Sequence, residues 1–164
     1  LQGRPSADHG GRCRRPEGGA SAHAIGRSRG GLTTKVHAAV DALGLPVHLV
    51  VTPGQWGDGP QARSLLEGLA AKGRIAHVIA DAAYDADHLR GFVADSLGAQ
   101  AQIKPNPSRA DKPSTDWTLY KERNLVERFF NRLKRYRRIA LRCEKTLSSF
   151  TAFLHIACAL EWMR

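Results

Sequence analysis

The stretch Thr33 to Thr52 reads TTKVHAAVDALGLPVHLVVT, and it decides the fold class. Thr33 to Val40 alternates around β-branched residues, as a strand does. Asp41-Ala42-Leu43-Gly44 is a turn: Asp bonds to nearby backbone, and Gly accepts a positive φ. Pro46 to Thr52 is a second strand, so the segment is a β-hairpin.

After the hairpin, helices and strands alternate. Pro53 to Gly57 is a loop, and Asp58 is placed to cap a helix with Pro60 in its first turn. That helix is expected to run to about Ala71, with Ala62, Leu65, Leu66 and Leu69 as its apolar stripe. His77 to Ala80 is a short buried strand ending at Asp81. A helix is expected over 85–97, stopped by Gly98, and a strand over 101–104. The Pro-, Ser- and Lys-rich segment 105–117 reads as a mobile loop. Helices around 120–136 and 146–163 close the chain. The order predicts an α/β domain, a mixed sheet with helices on its faces. Leu1 to Ala24 differs in kind: it is rich in Gly, Arg, Pro and Ser and shows no periodicity. Residues 1–25 are therefore expected to be a disordered or frame-shifted basic arm, with the domain spanning 26–164.

Composition narrows the partners. The chain has 164 residues, room for one ordinary domain, and 42% hydrophobic residues, enough for a modest core. Its formal net charge of +10 points to a polyanion, of which nucleic acid is the usual one. The three cysteines, Cys13, Cys143 and Cys158, lack metal-ligand spacing and fit a reducing compartment. The longest apolar run, near the C-terminus, contains His155 and Glu161 and is too short to span a bilayer, so no membrane partner is expected.

Two carboxylates stand out. On a helix, Tyr120, Arg123, Glu127 and Lys134 fall within roughly 60° of one another, and Leu125, Val126, Phe129 and Leu133 lie opposite. Glu127 is then either the partner of Arg123 in an i,i+4 pair or a metal-binding carboxylate flanked by phosphate-contacting cations. Asp81 sits where ligands gather in open α/β sheets, at the C-terminal end of a strand, and is either a turn residue or a ligand. Asp85 and Asp87 read as cap and first-turn charges of the following helix. His37 reads as a satisfied histidine rather than a ligand, and Asp41 as a turn residue. Arg27, Arg29 and Lys35 form one basic run. Lys134, Arg135, Arg137, Arg138 and Arg142 form a denser one, with Tyr136 interleaved, and suit a DNA backbone.

The segment YKERNLVERFFNRLK, Tyr120 to Lys134, resembles the Y-x2-R-x3-E-x6-K signature of insertion-sequence transposases. GRSRGGLTTKVHAAVDALG, VTPGQ and VIADAAYD resemble the insertion-sequence-5 group of bacterial DDE transposases, in the same order. The likeness covers roughly residues 25 to 164. It implies an RNase H-like fold and an enzyme that cuts at transposon ends and joins a 3′ hydroxyl to target DNA. It places the family's second aspartate on Asp81 and its glutamate on Glu127 as catalytic, metal-binding residues, with Mg²⁺ or Mn²⁺ as cofactor. It makes Tyr120, Arg123 and Lys134 companions that hold DNA, to which Arg135, Arg137, Arg138 and Lys35 are added here as DNA-binding candidates. The implied partners are double-stranded DNA, both terminal repeats and target, and further copies of the chain on that DNA. The implied location is the bacterial cytoplasm, at the nucleoid. The family's first aspartate lies on a strand before the hairpin. The one upstream aspartate, Asp8, has no strand-like surroundings. The first strand is therefore expected to be missing and the chain inactive alone. A DNA-binding regulator that occupies transposon ends without cutting is the alternative.

Overall fold

A computed structural model describes residues 23–28, 31–70 and 73–164. Strands β1 (Gly26–Ser28), β2 (Gly31–Val40) and β3 (Pro46–Pro53) form an antiparallel sheet in the order β1-β2-β3. Strands β4 (His77–Ala80) and β5 (Gln100–Ile103) form a parallel pair. The α/β reading holds, with the difference that the described strands fall into two sheets rather than one. Helices α1 (Asp58–Ala70) and α2 (Asp87–Asp95) follow β3 and β4, and α3 (Trp117–Tyr120), α4 (Asn124–Leu133), α5 (Arg137–Ala140) and α6 (Leu147–Trp162) close the chain.

The hairpin is built as its sequence dictates. Asp41 Oδ1 accepts from the N–H groups of Leu43 at 2.9 Å and Leu45 at 2.8 Å, and Gly44 takes a φ of +78°. A side chain at Gly44 would meet strain in that conformation. The β2–β3 register pairs Val36 with Val51 and Ala38 with Leu49, and the pleat sends these four to one face. There they pack on Phe129, Leu133, Phe150 and Leu154 of α4 and α6. On the other face α1 lies close against β3: a Cβ on Gly68 would collide with the His48 ring. Helix α1 also packs on α2 and on the 3-10 turn after β4, through Ala62, Leu66, Leu89 and Val93. The two sheets are thus joined by helices and not by strand pairing.

Unpaired strand edges remain in both sheets, among them one stretch of β2 and one of β4. The Gly54 N–H donates to the Thr33 carbonyl at 3.0 Å, so the backbone groups of alternate residues from Thr33 onward point to β3. Those of Thr34, Val36 and Ala38 point away, past the three residues that β1 covers. In β4, Ala76 and Ala80 carbonyls accept from β5, so His77 and Ile79 present the opposite edge. No strand pairs with either stretch among the described residues.

Several boundaries differ from the sequence reading. The helix expected over 120–136 starts at Trp117, because Asp116 Oδ1 accepts from Thr118 N at 2.8 Å and Leu119 N at 3.1 Å. It tightens to a 3-10 turn over Lys121–Arg123 and ends at Leu133. The helix expected over 85–97 is shorter, and its N-cap is Ala86. Asp85 has a different role: its carboxylate, fully buried, accepts from Arg90 Nε at 2.8 Å and from the Asn106 N–H at 2.7 Å. Together with Arg109, which pairs with both Asp85 and Asp87, it pins the segment read as a mobile loop. Strand β1 was not expected, its Gly-Arg-Ser sequence carrying no strand propensity. Ala24, just before it, is buried, and its carbonyl accepts from Thr34 Oγ1 at 2.6 Å. Residues 1–22, most of the expected arm and Asp8 with it, lie outside the described residues, as does Arg29.

Candidate active site

The candidate site forms where β4 ends and α4 begins. Asp81 leaves the strand with its Oδ1 accepting from the Ala82 N–H at 2.5 Å, capping the turn Ala82–Tyr84. The 3-10 turn Lys121–Arg123 packs on β4. This brings Arg123 and Tyr120 within electrostatic reach of Asp81 as well as Glu127. Arg123 Nη2 donates to Glu127 Oε1 at 2.5 Å, and its guanidinium lies 6.0 Å from the Tyr120 ring centroid. The structure therefore joins Asp81, Tyr120, Arg123 and Glu127, residues from elements well separated in sequence. At the level of local bonds Asp81 is a cap and Glu127 is an ion-pair partner, the non-ligand alternative in each case.

Each carboxylate still has an oxygen with no hydrogen bond among the described residues, Asp81 Oδ2 and Glu127 Oε2. Hard carboxylate oxygens of this kind suit Mg²⁺, which keeps several of its waters. No group of three or more acidic, His or Cys side chains able to hold a metal occurs among the described residues, so these two carboxylates are not by themselves a complete ligand set. Burial raises the Tyr120 hydroxyl above its ordinary value, Arg123 opposes this, and Asp81 and Glu127 add to it. Tyr120 therefore keeps its proton and remains a hydrogen-bond donor at neutral pH.

The cations sort into two sets. Lys35 is occupied by the Trp56 carbonyl at 2.8 Å and Asp58 at 3.0 Å, and Arg138 by Glu144. Asp58, expected as a helix cap, is thus the anchor of Lys35. Arg142 is wholly structural: with a φ of +52° it stacks on Phe150 and donates to Thr34 and to the His23 carbonyl. By contrast, the exposed side chains of Lys134, Arg135 and Arg137 have no partner among the described residues. The same is true of Lys121 and Arg128, which the sequence reading did not select. Their seven-residue spacing with Arg135, two helical turns, is the signal that could have found them. Trp117 was also missed: it is exposed and stands edge-on to Tyr120, with centroids 5.5 Å apart. Arg27 is exposed on β1, away from these residues in sequence. His37 is buried and bonded to Thr52 Oγ1 at 2.9 Å, as a satisfied histidine should be.

Comparison with known proteins gives the class of the chain. Residues 8–162 match the family of transposase DDE domains, and the chain belongs to it. A protein assigned as the transposase for insertion sequence element IS6501 of Brucella ovis is 64% identical over 133 residues, covering 81% of this chain and 100% of the relative. No solved structure matches. The chain is an insertion-sequence transposase of the DDE type. No helix among the described residues is long and apolar enough to cross a membrane.

Proposed function

We propose that this chain carries the carboxy-terminal part of an RNase H-like catalytic domain that cleaves phosphodiesters at insertion-sequence ends and transfers the 3′ end to target DNA. The observation that carries this reading is the convergence of Asp81 and Glu127 on Arg123 and Tyr120. Asp81 and Glu127 would hold Mg²⁺ or Mn²⁺, and the metal would activate the attacking oxygen and stabilise the leaving one. Arg123 neutralises phosphate charge next to the carboxylates, and Tyr120 donates its hydroxyl to the same group. Lys134, Arg135 and Arg137 track the duplex backbone beyond the site. The duplex would include the terminal repeats and target DNA, bound at the bacterial nucleoid by more than one copy.

The described residues do not complete the catalytic site by themselves. A DDE site needs a third carboxylate, on a strand, and the free edges of β2 and β4 are where an additional strand finds backbone partners. Such a strand would set its aspartate beside Asp81. Without it, the chain occupies transposon ends through its free cations and does not cut, which is the regulator reading.

The test is to incubate the chain with labelled end DNA and Mg²⁺, alone and with the family's first strand restored upstream. Salt-sensitive binding without cleavage is expected from the chain alone, and cleavage from the restored enzyme. Cleavage by the chain alone that is lost in Asp81→Ala would overturn its incompleteness. Absence of binding at low salt would overturn the DNA reading.

A further inference from the structure

The loop between β3 and α1, Pro53-Gly54-Gln55-Trp56-Gly57, has a fixed backbone and free side chains. The Gly54 N–H donates to the Thr33 carbonyl and the Trp56 N–H to the Pro53 carbonyl, each at 3.0 Å. Lys35 Nζ donates to the Trp56 carbonyl at 2.8 Å. The close fit needs glycine at two places. A Cβ on Gly54 would collide with Thr33, and one on Gly26 would collide with the Gln55 amide, which lies across β1 in the space that Gly26 leaves. A loop braced in this way loses little conformational freedom when it meets a ligand.

Two of its side chains have no bond within the fold. Trp56 is 45% exposed, and Gln55 is exposed as well. Neither the Trp56 indole N–H nor the Gln55 amide has a hydrogen-bond partner among the described residues. Trp162, by contrast, donates its indole N–H to the Pro46 carbonyl at 2.9 Å. One exposed apolar residue is ordinary on a protein surface, so location and charge decide what this one can do. The loop runs straight into α1, whose first turn packs on the turn Ala82–Tyr84. A Cβ on Gly59 would lie 3.7 Å from the Ala83 carbonyl. Asp81 caps that same turn, so the loop borders the acidic end of β4. Residues 53–57 include no ionisable side chain, and the adjoining Asp58 is paired with Lys35 at 3.0 Å. A loop with no free cation is not a phosphate contact. An amide with both donor and acceptor, beside an indole, suits base edges and base faces instead.

We propose that Gln55 and Trp56 read the base sequence next to the phosphodiester that the acidic site cuts. Gln55 presents its donor and acceptor to one base edge, a pattern that adenine matches with two bonds. Trp56 packs its ring on the neighbouring base. The free cations Lys134, Arg135 and Arg137 supply affinity without sequence preference, and this loop supplies the preference. Lys35 and Asp58 act as positioning residues that hold the loop in place. The inference rests on the DNA reading above and goes beyond it by assigning the residues that choose the sequence.

The full chain is titrated, at several salt concentrations, with a duplex carrying the terminal sequence of its own element and with the same duplex after its end base pairs are shuffled. The parent should prefer the first. Gln55→Ala and Trp56→Ala should each reduce that preference roughly tenfold and leave the salt slope unchanged. Lys134→Ala should do the reverse, lowering the slope and keeping the preference. A second readout needs no variant: irradiation of the parent on an end duplex with iododeoxyuridine in its terminal base pairs should give an adduct at Trp56. Equal binding of the two duplexes by the parent, or an unaltered preference in both variants, would overturn the proposal while the DNA reading stands. An adduct confined to other residues would overturn it too, and decides the matter if the variants fail to fold. No binding of either duplex at low salt would overturn the DNA reading and this inference with it.

Discussion

Arg123 Nη2 donates to Glu127 Oε1 at 2.5 Å across one turn of helix, and the same guanidinium is in electrostatic reach of Asp81 on a different element. The arginine therefore links two carboxylates that would otherwise repel each other. An exposed i,i+4 pair contributes only about 0.3–0.5 kcal/mol to stability. Glu127→Gln, which keeps an acceptor at the same place, should leave the Tm almost unchanged. In a catalytically complete enzyme the same substitution should abolish metal-dependent cleavage. A Glu127→Gln enzyme that turns over normally would make the carboxylate an ion-pair partner only.

The division of cations predicts unequal effects on DNA binding. Lys134→Ala should weaken binding and reduce the salt slope by about one phosphate contact. Arg138→Ala should change the slope less, because Glu144 already holds that guanidinium at 2.6 Å. Binding isotherms at several salt concentrations would show it, and equal slopes for the two variants would remove the distinction.

Asp85 should matter for stability and not for chemistry. Burial pushes its carboxyl up, but the Asn106 N–H, Arg90 and Arg109 together outweigh this and hold it below its ordinary value. Asp85→Ala leaves Arg90 and the Asn106 N–H without their acceptor and should cost about 2 kcal/mol. The lowered value also fixes the pH dependence. The contribution is fully present above the unfolded-state value of about 4 and is lost as pH falls through the folded one. Urea unfolding of parent and variant at neutral and acid pH should therefore show the two curves converging in acid.

His37 should act in a higher pH window. Burial lowers its value, Asp58 opposes this, and Lys35 adds to it. Below about 6.5 the unfolded chain takes up a proton that the folded ring refuses, so stability falls as pH drops toward the folded value. His37→Gln, which can still bond Thr52, should flatten the dependence between neutral pH and pH of about 5. An unchanged slope in thermal melts of the variant would show that another group titrates there.

Cys158 is buried and its thiol is pushed up to about 11 by burial, with Glu161 adding to the shift. Cys143 is exposed. Iodoacetamide at mildly alkaline pH should therefore modify Cys143 and spare Cys158 in the folded chain, since only the thiolate reacts. Mass spectrometry of the digested product would read this directly, and equal labelling of both would contradict the burial of Cys158.

The sequence by itself determined most of the local elements. Alternation fixed the hairpin from Thr33 to Thr52 and helical periodicity fixed α1 and α6, whereas the helix read from Tyr120 to Lys134 is interrupted by the 3-10 turn Lys121–Arg123 and ends at Leu133. These are short-range properties, set by φ/ψ preference and by which side chains must leave water. Tertiary structure decided the rest. It brought Asp81 to Arg123 through the packing of Lys121–Arg123 on β4, a contact that no local pattern encodes. It turned Asp85 from an expected helix charge into a buried anchor, because Asn106 and Arg109 reach it from about twenty residues away. It also separated the free cations from the paired ones. Lys134 and Arg138 look alike in sequence, and only the position of Glu144 beside Arg138 makes one available to phosphate and the other not.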